Sequence, residues 1–293
     1  MHIVVCIKQV PDSAQIRVHP VTHTIMRQGV PAIVNPFDLF ALEEALRIKD
    51  RLPNTHITVL TMGPLQAEDA LRKCLSLGAD RALLITDKSF AGADTLATSS
   101  ALAAALKTLH AEDPIALVFT GKQTIDGDTA QVGPGIAIRL GYQLLSYVAA
   151  IRDINYENQS IVVERRAEGG VQVLASRLPA VITMLEGVNE MRFADMSGMF
   201  RSARQEVEKW NREKIGITDL TQVGLKGSPT IVAQVFGPKP KETRAQRIEG
   251  ASPDEMAQNF VAKLFADHPQ LEAALIEHRA RRDAHLAETG ERA

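Results

Sequence analysis

Four short apolar runs, each followed by a helical pattern, constrain the fold of this chain more than any other feature of its sequence. The runs cover residues 2–8, 57–61, 82–85 and 115–120. After each of them comes a segment in which apolar residues recur at intervals of three and four, as in amphipathic helices. Continuously apolar strands that alternate with helices are typical of a parallel sheet covered on both faces. We therefore predict a doubly wound α/β fold, in which ligands bind beyond the carboxyl ends of the strands.

The second half of the chain follows a different pattern. Closely spaced strand-like runs, with a turn at Glu168-Gly169-Gly170, predict a β-rich second half that contains a hairpin. After Gly187 the periodicity is lost until Glu255, and prolines and glycines interrupt the segment, which predicts an extended arm. A charged helical tail follows. The predicted boundaries are 1–186 for the α/β domain, 187–243 for the arm and 244–293 for the tail.

Composition excludes several classes of function. The chain has 33 Lys and Arg against 35 Asp and Glu, and only 4% of its residues are aromatic. This balance argues against nucleic-acid binding, which needs a concentrated basic face or stacking platforms. No apolar run approaches the roughly 18 residues that would predict a membrane span, and no signal-peptide pattern opens the chain. We expect a cytoplasmic protein without membrane insertion, in which Cys6 and Cys74 are reduced.

The segment that follows the fourth apolar run carries the most informative motif. It reads Gly121-Lys122-Gln123-Thr124-Ile125-Asp126-Gly127-Asp128-Thr129-Ala130-Gln131-Val132 and leads into an Ala- and Ile-rich helix. Gly121 and Gly127 let the backbone approach a ligand closely, and the free N–H groups at a helix start suit a phosphate. Asp128 or Thr129 could instead cap that helix. The segment is not a Walker A loop, because Gln123 stands where that motif has Ser or Thr.

Several segments in the same order resemble the β subunits of electron-transfer flavoproteins, over residues 1–243. They are Val4 to Pro11, Asn35-Pro36-Phe37-Asp38, Met62-Gly63-Pro64, the loop from Gly121, and the stretch from Val163 to Thr183. The loop form Asp126-Gly127-Asp128-Thr129 and the segment from Gly92 to Ser99 resemble the electron-bifurcating, nitrogen-fixation (Fix) type. The branch that serves acyl-CoA dehydrogenases has a more acidic loop.

This resemblance implies an adenine-nucleotide-hydrolase-like domain that binds FAD and forms a heterodimer with an α subunit. With that subunit the chain would oxidise NADH and pass electrons to a quinone oxidoreductase and to a ferredoxin-like protein or flavodoxin. Any membrane contact would then be peripheral and made through the partner complex. The implied cofactor-binding residues are Cys6, Asn35, Pro36, Phe37, Asp38, Met62, Gly63, Asp94, Thr95, Thr98 and the loop from Gly121 to Val132.

Three further features carry expected roles. The position of Asp38 after Asn35-Pro36 predicts that it caps the helix that it opens, and the resemblance implies that this segment also touches the nucleotide. Thr95 and Thr98, at the start of a predicted helix, could supply the additional donors that FAD needs beyond AMP. Met196 lies in a segment that resembles the family's partner-recognition loop, and residues 187–243 would lie on the α subunit. No catalytic residue or metal ligand is implied, because the flavin carries the chemistry.

Two alternatives remain open from the sequence. In a non-bifurcating β subunit, AMP would occupy the nucleotide site as a structural group. A nucleotide-binding regulatory module would need a G-x-x-G-x(9)-G-[ST] phosphate loop, which the sequence lacks.

Overall fold

The computed structural model describes residues 1–12, 17–18, 25–26, 31–233 and 245–289. The chain divides into two compact units, residues 1–236 and residues 237–293. Within the described ranges, no helix combines the length and the apolar character that crossing a membrane requires.

Thirteen strands and seven helices make up the described parts of the chain. The strands are β1 His2–Cys6, β2 Gln9–Pro11, β3 Arg17–Val18, β4 Ile25–Met26, β5 Ala32–Val34, β6 His56–Met62, β7 Arg81–Ile85, β8 Ile115–Gly121, β9 Gln143–Asn155, β10 Ser160–Ala167, β11 Gly170–Arg177, β12 Ala180–Met184 and β13 Glu208–Trp210. The helices are α1 Pro36–Arg51, α2 Glu68–Leu77, α3 Thr95–Glu112, α4 Val132–Leu140, α5 Met196–Arg204, α6 Pro253–Asp267 and α7 Pro269–Thr289.

The four strands predicted from the apolar runs are β1, β6, β7 and β8, and they lie parallel in one sheet. Across the described residues this sheet has nine strands in the order β11-β10-β9-β12-β8-β1-β6-β7-β13. Buried residues of α1 and α2 pack in the cluster on one face, and those of α3 and α4 pack in the cluster on the other. The predicted doubly wound α/β fold is confirmed.

The β-rich second half extends the same sheet rather than forming a second layer. Strand β12 inserts between β8 and β9 and is parallel to both. Strands β10 and β11 form the predicted antiparallel hairpin, in which Glu168 and Gly169 make the turn and Gly170 begins β11. Both glycines have positive φ values, of 78° and 157°, that other residues rarely adopt.

Residues 196–223 of the predicted arm belong to the first compact unit and pack within it. Helix α5 begins at Met196, and β13 pairs parallel with β7 at the edge of the sheet. Trp210, Ile215 and Val223 are buried in the cluster that contains α3. Their apolar side chains are too far apart along the chain to produce a periodic signal. Residues 234–243 of the predicted arm lie outside the described residues, and contact with an α subunit remains a prediction.

The second unit consists of α6 and α7, as the charged helical pattern predicts. Ser252 caps α6 by accepting a hydrogen bond from the backbone N–H of Glu255. Most of the side chains described in these helices are exposed, including those of Phe260 and Leu275. Residues 244 and 290–293 of the predicted tail lie outside the described residues.

Candidate nucleotide site

The chain order reverses between β1 and β8, and this reversal creates a crevice at the carboxyl edge of the sheet. From β1 the chain continues to β6 and β7 on one side, and α3 then returns it to β8 on the other side. Ligands of doubly wound sheets bind at such a switch point. The starts of α1 and α4 both lie beside it, because each follows a strand or turn at this edge.

Asp38 joins the ends of β1 and β8 across this crevice. Its buried carboxylate accepts hydrogen bonds from the backbone N–H of Lys8, at 2.8 Å, and of Gly121, at 3.0 Å. Burial raises the pKa of Asp38 to about 7, although these bonds favour the charged form. The prediction that Asp38 is an N-cap is wrong. Pro36 is compatible with the first helical position, so the helix begins at Pro36 and the cap position falls on Asn35, three residues before Asp38.

The side chain of Asn35 hydrogen-bonds to the backbone of the predicted nucleotide loop at two positions. Its side-chain amide donates to the carbonyl of Gln123 at 2.9 Å, and its oxygen accepts from the N–H of Ile125 at 3.2 Å. The Lys8 ammonium adds an ion pair with Asp126 at 2.8 Å. Burial alone would raise the pKa of Asp126, but the bonds from Lys8 and Thr124 outweigh burial and hold that pKa below its ordinary value. These contacts fix the start of the loop to β1 and α1.

The end of the loop presents an uncapped helix start. Gln131 occupies the cap position of α4 and makes no side-chain cap bond, and the first turn contains no acidic residue. The first N–H groups of any helix lack intrahelical partners. Asp128 accepts instead from the Gln123 amide at 2.7 Å, so it does not cap this helix. The start of α4 can therefore receive an anion.

The start of α3, by contrast, is already capped by the protein. One carboxylate oxygen of Asp94 accepts from the N–H of Ala97 at 3.0 Å, and the other accepts from the Thr230 hydroxyl at 2.8 Å. Thr95 donates to the Gln131 side chain at 2.8 Å and so links the starts of α3 and α4. Thr98 lies in the first turn of α3. These contacts favour α4 over α3 as the helix that receives phosphate.

Three glycines of the site differ in the space around them. A Cβ atom on Gly121 would lie 2.6 Å from both the Asp38 carboxylate and the Phe37 Cβ. One on Gly133 would lie 2.8 Å from Thr120. At Gly127 the nearest atom would be the Thr124 hydroxyl, at 3.5 Å. Gly121 and Gly133 are thus required by packing within the protein, whereas Gly127 leaves space on the loop surface. An open loop before an uncapped helix fits a bound pyrophosphate.

The remaining predicted cofactor residues lie at the same edge of the sheet. Cys6 and Met62 end β1 and β6, and burial raises the pKa of the Cys6 thiol far above its ordinary value. The N–H of Gly63 donates to Ile85 at 3.0 Å. The Lys122 ammonium lies 5.6 Å from the centre of the Phe37 ring. The predicted site did not include Lys8, which pairs with Asp126, although the position of Lys8 two residues after the end of β1 is a usable signal.

Met196 does not lie at the carboxyl edge of the sheet with the other predicted site residues. It begins α5, which packs on α2, and 64% of its surface is exposed. The structure therefore does not bring Met196 together with the nucleotide loop, and the partner-contact role implied for it stays a prediction.

His2, His56 and Asp113 form the one group of three potential metal ligands found among the described residues. His56 Nε2 lies 2.5 Å from the Asp113 carboxylate. The two imidazole rings stack at 4.4 Å with an angle of 21° between their planes. In nearly parallel rings the nitrogen lone pairs lie in separate planes and do not meet at one ion. We interpret this group as a hydrogen-bonded cluster.

The raised pKa of Asp38 predicts a pH-dependent contribution to stability. The folded chain holds this proton up to about pH 7, whereas an unfolded chain releases it near pH 3.8. The contribution of this proton to the free energy of unfolding is complete below pH 3.8 and is lost as pH rises to about 7. The free energy of unfolding falls over this range by no more than about 1.4 kcal/mol per pH unit. We expect Asp38→Asn to remove this dependence. Melting temperatures of the wild-type and variant proteins between pH 5 and 8 test it. Parallel pH curves for the two proteins would contradict it.

Comparison with known proteins adds independent information about the chain. The model of the electron transfer flavoprotein domain matches residues 22–215, a range that contains the nucleotide loop and α4. Protein FixA of Azotobacter vinelandii is 62% identical over 274 residues, which cover 93% of this chain and 97% of that protein. The caffeyl-CoA reductase-Etf complex subunit CarD of Acetobacterium woodii is 43% identical over 268 residues, which cover 92% of this chain and 99% of that protein. The electron transfer flavoprotein subunit beta of Megasphaera elsdenii is 45% identical over 241 residues, which cover 81% of this chain and 88% of that protein.

Proposed function

The chain belongs to the electron transfer flavoprotein family, as a β subunit of the FixA type, and we propose that it binds FAD and bifurcates electrons together with an α subunit of the FixB type. The pair oxidises NADH and divides the two electrons between a quinone oxidoreductase and a ferredoxin-like protein or flavodoxin. This activity would supply reducing power for nitrogen fixation, in keeping with the FixA relatives. Any membrane contact of the complex is then peripheral and made through the quinone-linked partner.

The observation that carries this proposal is the open loop at Gly127 directly before the uncapped start of α4. The N–H groups of Val132 and Gly133 would hold the pyrophosphate, with Thr129 as an additional hydroxyl donor. When bound, FAD accepts a hydride and releases electrons singly. Asn35, Asp38 and Lys8 do not need to touch the cofactor, because their contacts position the loop that does.

The space at the loop and the pairing of its carboxylates support FAD rather than AMP. FAD has a second phosphate and a longer chain beyond it, so its site must accept a larger group beside the loop without repelling the phosphates. Asp126 is paired with the Lys8 ammonium, and Asp128 accepts from Gln123. Both carboxylates therefore have partners within the protein. Gly127, between them, adds neither charge nor volume.

The cofactor content of the heterodimer tests the proposal. We expect the complex, co-purified with its α subunit and then denatured, to release two FAD and no AMP when measured by chromatography. Release of one FAD and one AMP would contradict bifurcation and favour a β subunit in which AMP is structural.

Replacing Met196 with glutamate tests the partner contact. We expect the apparent KM for the downstream redox partner to rise about tenfold, because a charge replaces an apolar contact at the centre of a protein interface. The FAD content should not change, since Met196 lies away from the nucleotide loop. Met196→Leu is the matched control and should retain normal transfer. Unaltered transfer kinetics in Met196→Glu would contradict the assignment.

A further inference from the structure

Two histidines and one aspartate join the starts of three neighbouring strands at the amino edge of the sheet. His2 begins β1, His56 begins β6, and Asp113 lies two residues before β8. Strand β1 lies between β8 and β6, and His2 is the register partner of both Ile115 and His56. We call His2, His56 and Asp113 the histidine cluster. It lies at the edge of the sheet opposite to the nucleotide loop, so its role is separate from the proposed function.

The hydrogen bonds of His2 are complete when its ring is neutral. Nδ1 faces two oxygens of Asp113, the backbone carbonyl at 3.1 Å and a carboxylate oxygen at 3.2 Å. Both oxygens are acceptors, so Nδ1 carries the ring proton and donates it. Nε2 lies 2.9 Å from the Thr58 hydroxyl and accepts from it. The side chain of His2 is only 1% exposed, so these protein contacts replace those with water.

A proton on Nε2 of His2 would break this arrangement. Nε2 would then donate to the Thr58 oxygen, and the hydroxyl hydrogen would need another acceptor. Thr58 is fully buried, and among the described residues its hydroxyl has no hydrogen-bond partner other than His2. A buried donor without an acceptor is unfavourable. Burial also lowers the pKa of His2 below its ordinary value, although the contacts with Asp113 favour the protonated ring.

The charges within the cluster also oppose a second proton. His56 Nε2 lies 2.5 Å from the Asp113 carboxylate, which balances a proton on His56. In the described part of the chain, Asp113 is the only carboxylate that forms an ion pair with either ring. The centres of the two stacked rings lie 4.4 Å apart. If both rings were protonated, two positive charges at this separation would share one negative charge.

Two further cations stand near His2 on other parts of the fold. The Arg81 guanidinium on β7 opposes a proton on His2, although Arg81 itself pairs with Glu112 and Glu208. The Met1 ammonium, next to His2 in the chain, donates to a backbone carbonyl in the turn before β6 at 2.8 Å. Neither group supplies a negative charge that would balance a second imidazolium.

We propose that the histidine cluster is an acid-sensitive latch, which holds the starts of β1, β6 and β8 together while it carries at most one proton and releases them when it takes up a second. An unfolded chain binds a proton at His2 near pH 6.5, whereas the folded chain binds it only at lower pH. The contribution of the latch to the free energy of unfolding is therefore complete above about pH 6.5 and is lost as pH falls below it. This direction is opposite to that of Asp38.

Melting temperatures of the wild-type and His2→Asn chains in the co-purified heterodimer, compared between pH 7.5 and 5, test the latch. Asparagine keeps a donor for Asp113 but cannot take up a proton. We expect the wild type to be more stable at pH 7.5. Its advantage should shrink by about 2–5 °C per pH unit below pH 6.5, because one proton changes the unfolding equilibrium by at most about tenfold per pH unit. Asp38 is present in both chains, so its effect cancels. An advantage that stays constant would overturn the proposal.

His278→Asn is the matched control for the loss of a histidine. It makes the same change at an exposed position of α7. The difference in melting temperature between this variant and the wild type should not depend on pH, because an exposed ring takes up its proton alike in the folded and unfolded chains. A pH dependence equal to that of His2→Asn would overturn the latch.

NMR titration of the His2 ring, assigned through its sequential connection to Ile3, separates the charges from the packing. In the wild type we expect a neutral ring with its proton on Nδ1 at pH 7, which takes up a second proton only below pH 6.5. His56→Gln removes the neighbouring charge and should raise the pKa of His2, whereas Asp113→Asn removes the balancing carboxylate and should lower it. A wild-type ring that titrates at or above pH 6.5, or shifts of the same sign in both variants, would overturn the proposal. This measurement decides the question even if His2→Asn does not fold.

Hydrogen exchange, corrected for its intrinsic dependence on pH, locates the release. Between pH 7.5 and 5, peptides from β1 and β6 should lose more protection than those from β12, which lies in the same sheet but does not contact the cluster through any of its members. His2→Asn should remove this difference between the strands. Equal losses of protection in β1, β6 and β12 of the wild type would show a global effect of acid and would overturn the release of this edge.

Discussion

Gly127→Asp should remove one of the two FAD molecules from the heterodimer and leave the FAD of the α subunit bound. The new carboxylate would stand beside the phosphates in the loop that precedes α4. Repulsion between such charges amounts to about 1 to 4 kcal/mol at a near-surface dielectric constant, which corresponds to a loss of affinity of about 5- to 1,000-fold. NADH-driven reduction should fall in proportion to the lost flavin.

The space around Gly127 makes this substitution a test of the ligand site rather than of folding. A Cβ atom there meets only the Thr124 hydroxyl, at 3.5 Å, so the folded chain accommodates a side chain. We expect the melting temperature of the flavin-free variant to match that of the flavin-free wild type. Gly127→Asn adds nearly the same volume without the charge and is the matched control. Retention of both FAD molecules in Gly127→Asp would contradict the assignment of this loop, and equal losses in both variants would make volume the cause.

Gly121→Ala should damage both the fold and the nucleotide site. The added methyl group would lie 2.6 Å from the Asp38 carboxylate and 2.7 Å from the backbone carbonyl carbon of Phe37. Because backbone cannot move aside as a side chain can, the start of α1 must shift. Overpacking of this kind costs about 1–3 kcal/mol, and the strained bond from Gly121 to Asp38 adds about 1 kcal/mol or more. We expect the melting temperature to fall by about 5–10 °C.

Gly127→Ala is the control for this second prediction, because it makes the same change six positions later in the same loop. Its methyl group enters open space, so the melting temperature should change little. FAD content and thermal unfolding, measured on both variants in the heterodimer, distinguish the two glycines. Equal melting temperatures for the two variants would show that Asp38 and Phe37 do not require a glycine at position 121.

Part of the site could be predicted because its residues are adjacent in the chain. The loop from Gly121 to Val132 follows a buried strand and opens a helix, and both signals are local. The roles of Asn35 and Asp38 could not be predicted in this way. Their partners Ile125 and Gly121 lie more than eighty positions away, so only the folded chain brings them together. The predicted cap at Asp38 was wrong because the helix starts at Pro36.

The alternation of strands and helices was determined by the sequence, because apolar continuity and helical periodicity depend on neighbouring residues. Strand β8 is buried along its whole length and was therefore predicted from its apolar run. Only the tertiary structure decided that β12 lies between β8 and β9 and that Trp210 joins the buried cluster that contains α3. The same is true of the ion pair between Arg192 and Glu43, which joins residues from distant parts of the chain. Such contacts depend on which surfaces meet once the sheet has formed, and no local pattern of residues encodes that choice.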